Sequence, residues 1–198
     1  LARLAIFIDG GYLDALAEKG FGVWVDLGLL AQRVLRDVSA KTPEPVDLLR
    51  VFYYHCPPYQ GNPPTEEERR RYAGRRAFFD AVKRLPRFDV REGRLEYRGL
   101  DAAGKKVFAQ KRVDLMLGLD FALLSSKRQI THVALLAGDS DFIPAFEVAK
   151  SEGVSAWLFH GPRMSRGSTY HLDLWMAADE RVEIDGPFME SVRRVASP

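Results

Sequence analysis

Two periodicities alternate along this chain. Short apolar runs fall at about residues 3–8, 48–55, 132–137 and 154–159, each six to eight residues long. Their length and their Val, Ile, Leu and Phe content predict strands of a buried, mostly parallel sheet. Between them, apolar residues recur every three or four positions over about 12–18, 27–37, 66–84, 114–125, 142–151 and 169–177. These stretches predict helices. The alternation implies βαβ units, an α/β fold with a central sheet covered on both faces.

Three segments break the rhythm. Pro57–Pro58 and Pro63–Pro64 cannot sustain a strand, so 57–64 is a loop. It leads into a helix with a capping box at Thr65 and Glu68. Over 87–111, Phe88, Val90, Leu95 and Tyr97 alternate with charged residues, and Val107-Phe108 follow a turn at Gly104, so an inserted hairpin or strand pair is expected. Residues 1–185 read as one domain, and 186–198 as a peripheral tail with a short helix through Met189-Glu190-Ser191-Val192.

Composition bounds the class. A length of 198 residues and 46% hydrophobic content suit one domain with a substantial core. No stretch of about 18 apolar residues occurs, and nothing resembles a signal peptide, so no membrane association and a cytoplasmic location are expected. The lone Cys56 lacks the neighbours of a thiolate metal site and reads as a core residue. A net charge of +2 conceals an asymmetry: residues 66–112 hold 15 Lys or Arg against 8 Asp or Glu, a surplus of +7, leaving −5 elsewhere. A basic segment beside an acidic one suits a polyanionic ligand. Arg-rich helices are also ordinary solvated faces, and Glu66 to Arg71 is partly self-neutralising at i,i+3 spacing.

The chemistry concentrates at strand ends. Gly138-Asp139-Ser140-Asp141-Phe142 follows the run Val133 to Ala137, and Asp9-Gly10-Gly11 follows Leu4 to Ile8. In open α/β sheets, ligands collect at the carboxyl ends of strands. Asp114 opens the helix at 114–125, where a carboxylate serves as a cap and also projects toward that rim. Clustered carboxylates repel one another without a cation, and oxygen donors select Mg²⁺ or Mn²⁺. Asp141 could serve a second ion or cap the helix at 142–151, and Ser140 could bind a ligand water or phosphate or simply serve the turn. Asp120 lies about 120° round the helix from Asp114, which argues against a ligand role. The glycines at 10, 11 and 138 would let a phosphate approach the strand ends, or serve ordinary turns. No glycine-rich phosphate loop is present, so a nucleotide cofactor is not implied. Around the hairpin, Arg94, Arg98, Lys111 and Arg112 with Tyr97 and Phe108 are the candidate nucleic-acid surface; the aromatics serve hairpin packing equally well. His55 and His132 read as structural, whereas His160, His171, Arg163 and Arg166 lie on later segments within reach of a substrate.

Ile6-Phe7-Ile8-Asp9-Gly10, Lys111 through Asp120, Ala134 through Phe142, and Ala178-Asp179 together resemble the NYN family (the DUF88 or LabA-like branch), which is similar to PIN-domain nucleases. The resemblance spans residues 4 to about 180. It implies a PIN-like three-layer α/β/α sandwich and Mg²⁺- or Mn²⁺-dependent hydrolysis of RNA phosphodiesters by an activated water. Asp9, Asp114 and Asp139 would hold the metal, with Asp141 as a fourth. The partner would be a single-stranded or structured RNA, and domains of this kind commonly form homodimers, although no exposed apolar stripe stands out in the sequence. Family members commonly carry Asn just after the first Asp; here Gly10-Gly11-Tyr12 stand there, which removes any substrate contact made by that Asn. Two rivals remain: a non-catalytic RNA-binding or regulatory protein that keeps the acids for a structural ion, and a haloacid dehalogenase-like phosphatase. The phosphatase requires a second acid two residues after its nucleophile, where this chain has Gly11.

Overall fold

A computed structural model describes residues 1–164 and 167–195. The chain runs β1 (Ala2–Asp9), α1 (Gly10–Asp14), a π-helical turn (Ala15–Phe21), α2 (Leu27–Lys41), β2 (Val46–His55), α3 (Glu66–Lys83) and β3 (Phe88–Glu92). It continues through β4 (Arg94–Leu100), β5 (Lys106–Lys111), α4 (Val113–Ser126), β6 (His132–Leu136), a 3₁₀ turn (Ser140–Phe142) and α5 (Ile143–Ser151). Last come β7 (Ser155–His160), β8 (Arg163–Met164), β9 (Gly167–Ser168), α6 (Leu172–Ala177), β10 (Glu180–Glu183) and α7 (Gly186–Ser191). Among the described residues the main sheet has six strands in the order β10-β7-β6-β1-β2-β3, every pair parallel. Chain progress moves outward from β1 through β2 to β3, then returns to the other side of β1 at β6. That reversal is a topological switch point, and Asp9 and Gly138 sit at its carboxyl rim.

Strand alternation divides the core into two layers. Leu4, Ile6 and Ile8 of β1 face one cluster with α2 residues Leu30, Val34 and Val38, while Ala5 and Phe7 face another with Leu117 and Phe121 of α4 and Phe146 of α5. The expected α/β sandwich with helices on both faces is therefore present. No helix among the described residues is long and apolar enough to cross a membrane. The capping box forms as the sequence requires: Thr65 Oγ1 accepts from Glu68 N at 3.2 Å, and Glu68 Oε2 accepts from Thr65 N at 2.9 Å. The same carboxylate accepts from Gly61 N at 3.1 Å, tying down the proline loop.

Several details depart from the sequence reading. The segment 87–111 splits: β3 joins the main sheet beside β2, and only β4 and β5 form the antiparallel hairpin. The first helix begins at Gly10 and loosens to π geometry before ending at Gly22, whose φ of +65° only glycine adopts freely. The helix expected at 169–177 starts at Leu172. β10 escapes the pattern because Val182 is its only apolar residue. Where a peripheral tail is expected, Phe188, Met189 and Val192 are buried in the α2 layer.

Candidate metal and nucleic-acid site

Asp9 ends β1 and caps α1, its Oδ1 accepting from Gly11 N at 2.9 Å and Tyr12 N at 3.1 Å. These bonds fix the carboxylate at the sheet rim. Burial pushes its pKa up, and the charge of Asp114 adds to that rise. Asp139, on the neighbouring strand end, caps the 3₁₀ turn by accepting from Asp141 N at 3.1 Å. Asp141 does not cap α5, whose N-cap is Phe142 with no side-chain cap, and it makes no side-chain hydrogen bond among the described residues.

Asp114 differs from its expected capping role. Arg112 is the N-cap of α4, held at φ 76°, and Asp114 is the second helical residue. No donor reaches its carboxylate among the described residues. Although it is exposed, loss of hydration raises its pKa, and the charges of Asp139 and Asp141 raise it further. The fold thus brings Asp9, Asp114, Asp139 and Asp141 into one electrostatic neighbourhood. It does not close them round a point: no three His, Cys, Asp or Glu among the described residues are placed to hold an ion as they stand.

Two grooves meet here. One, of about 480 Å³, is lined by Asp9, Tyr12, Asp139, Ser140, Thr169 and His171. The other, of about 580 Å³, runs between α4 and α5 from Asp114 and Asp141 past Leu115, Leu119 and Pro144. Ser140 lines both. Leu115, Leu119 and Leu123 are 65%, 54% and 48% exposed and form an i, i+4, i+8 stripe along α4. That stripe was not evident in a helix apolar on several faces.

The sequence reading missed several neighbours of the acids. Tyr12 accepts a hydrogen bond from Gly161 N at 2.8 Å, linking the first helix to the end of β7. His55 Nε2 and Arg75 both bind Asp14 Oδ2, each at 3.0 Å. Burial opposes ionisation of Asp14, but these two partners outweigh it and hold its pKa low. Packing requires glycine at 10: a Cβ there would lie 2.5 Å from His55 Cδ2 and 2.7 Å from Tyr53 Cζ. A Cβ at Gly11 would lie 3.2 Å from Gln110 Nε2, so the hairpin strand β5 reaches the acid groove. Only spacing across the hairpin could have suggested Gln110.

Within the hairpin, Arg94 and Lys111 stand directly opposite each other, a like-charge pair that an anion would relieve. Neither they nor Arg112 make an ion pair among the described residues, whereas Arg98 pairs with Glu96 at 3.3 Å. Tyr97 and Phe108 pack on each other and on Tyr59, with centroids 5.1 to 6.1 Å apart, yet remain 44% and 38% exposed. Hairpin packing and an open ring face thus coexist.

Other residues fall to structure. Asp120 accepts from Tyr54 and Arg91, away from the acids' rim. Asp179 accepts from Ala156 N at 2.8 Å and pairs with Lys150. Burial pushes the Cys56 thiol up to about 11, which removes it as a nucleophile at neutral pH. His132 binds Thr131, and His160 is buried against Tyr170 with its pKa lowered by burial. His171 lines the acid groove and caps α6. Arg163 is exposed, and Arg166 lies outside the described residues.

The molecule is a parallel α/β sandwich with acids gathered at the switch point of its sheet. The NYN domain model matches residues 3–173, and the chain belongs to that family, which is nuclease-like in general. A crystal structure of a Vibrio parahaemolyticus protein of unknown function shares the fold, with a TM-score of 0.61 at 16% identity, covering 93% of each chain. MurG of Acinetobacter baumannii overlaps weakly, with a TM-score of 0.39 at 11% identity over 92% of this chain and 41% of its own. No curated protein sequence matches significantly.

Proposed function

We propose that this protein is a Mg²⁺- or Mn²⁺-dependent endoribonuclease, with Asp9, Asp114, Asp139 and Asp141 as the ion-holding set. The observation that carries this reading is Asp114. Its carboxylate has no donor among the described residues, faces two further acids, and costs free energy unless a cation joins them. The donor set, all carboxylate, fits a hard divalent ion. Closing it requires rotation of Asp114, Asp139 and Asp141, which are all exposed. When bound, such an ion supplies positive charge at a scissile phosphate and lowers the pKa of water.

The chain's own residues do the rest. Gly11 and Tyr12 amides orient Asp9. Ser140 and His171 offer polar groups along the groove, while Arg94, Arg98, Lys111 and Arg112 hold the phosphates of a single-stranded or structured RNA. Tyr97 and Phe108 stack on bases, and the apolar groove between α4 and α5 receives unpaired ones. Cleavage of labelled RNA in Mn²⁺ tests the proposal. Asp114→Asn and Asp139→Asn should each lose about 100-fold or more in rate with unchanged circular dichroism. Parental rates in both would overturn it.

The spread of the acids favours one rival reading, an RNA-binding protein that keeps a structural ion. Metal-dependent RNA binding without cleavage, across several RNAs and both ions, would establish that instead.

A further inference from the structure

A cavity of about 440 Å³, within the usual range of roughly 300–1,000 Å³ for small-molecule sites, shares no lining residue with the acid groove. It lies beside α1, the π-helical turn and α3. Leu13, Val23 and Phe78 make an apolar wall, and at its rim Trp24 is 70% exposed. An indole left in water beside a concave apolar wall is a platform without a partner. Three guanidinium groups border the same space. Arg75 is committed to Asp14 at 3.0 Å, but Arg71 and Arg194 make no ion pair among the described residues. Asp14 is already paired with Arg75 and hydrogen-bonded to His55, so Glu18 is the one acid on the lining without an ion pair among the described residues. The cavity therefore has a flat aromatic face, an apolar wall and two spare cations, with a carboxylate able to accept from hydroxyl or amino groups.

We propose that this cavity binds a nucleotide unit, its base stacked on Trp24 and its phosphate held by Arg71 and Arg194. Stacking tolerates any base, because every base has a π face, and planar guanidinium groups match phosphate oxygens. A free mononucleotide and a nucleotide of a bound strand offer the same chemistry. The site does not depend on the acid groove being catalytic.

The test is done in EDTA, with Asp139→Asn in parallel so that the acid site plays no part. Tryptophan fluorescence is titrated with AMP, GMP, CMP and UMP, with inorganic phosphate as control, and affinities are checked by calorimetry. Anisotropy of a labelled single-stranded RNA forms the second arm. Saturable quenching by nucleotides but not phosphate, weakened about 10-fold in Trp24→Ala and in Arg71→Gln/Arg194→Gln, identifies a free-nucleotide site. RNA binding weakened by the same variants, without mononucleotide binding, identifies the strand as the source. The substituted residues are exposed, and thermal melts confirm folding. If neither ligand class responds to these variants, or binding occurs unchanged in both, the proposal is overturned.

Discussion

Asp120→Ala should destabilise the fold without touching the chemistry. Tyr54 is fully buried, and its hydroxyl donates to Asp120 Oδ2 at 2.9 Å; Arg91 Nε donates to the same oxygen at 3.0 Å. Burial, then the charge of Asp120, pushes the Tyr54 phenol far above its ordinary pKa, so it remains a donor at all working pH values. Removing the carboxylate leaves that buried hydroxyl unsatisfied, costing about 1–3 kcal/mol. The partly exposed Arg91 pair adds about 0.5–1 kcal/mol after screening. Together these give about 2–4 kcal/mol, which in a chain of 198 residues corresponds to a fall in Tm of roughly 5–15 °C. Thermal melts followed by circular dichroism measure it, and a cycle with Tyr54→Phe should give a coupling of about 1–2 kcal/mol. Cleavage per folded molecule should match the parent. A Tm within about 2 °C of the parent, or a cleavage defect as deep as that of Asp114→Asn, would refute the structural role.

The pH dependence of ion-free stability has a definite sign. Asp9 and Asp114 have folded pKa values raised above 3.8, so their contribution is fullest below that value and is lost as pH rises through the raised ones. In EDTA, Asp9→Asn/Asp114→Asn should therefore gain Tm relative to the parent as pH climbs from 3.8 toward neutrality. Mn²⁺ should raise the parent's Tm at neutral pH and the double variant's far less; a pH-independent difference would argue against the cluster. Lys111→Ala and Arg112→Ala should weaken RNA binding uniformly across sequences, each reducing the slope of log affinity against log salt by about 0.7. An unchanged slope in filter binding would remove them from the phosphate path.

What the sequence determined is local. Apolar runs, their spacing and the Thr65 capping box set most elements, and acids immediately after apolar runs could hardly avoid the sheet rim, because a strand's end and the next turn are neighbours in chain and space. Asp9 and Asp139 were legible for that reason, and the separation of Asp120 from Asp114 followed from helical geometry alone. Tertiary structure decided whatever depends on partners distant in sequence. β3 pairs with β2 and β4 with β5, a division that the half-charged pattern of β3 does not carry. The pairing of Asp14 with His55 and Arg75, the arrival of Gln110 beside Gly11, and the burial of α7 likewise come from chain segments folding back together. The cavity at Trp24 needs α3 and Arg194 laid against the first helix. Contacts of this kind carry no periodic signature, because their free energy comes from packing and charge pairing between residues that no local rule relates.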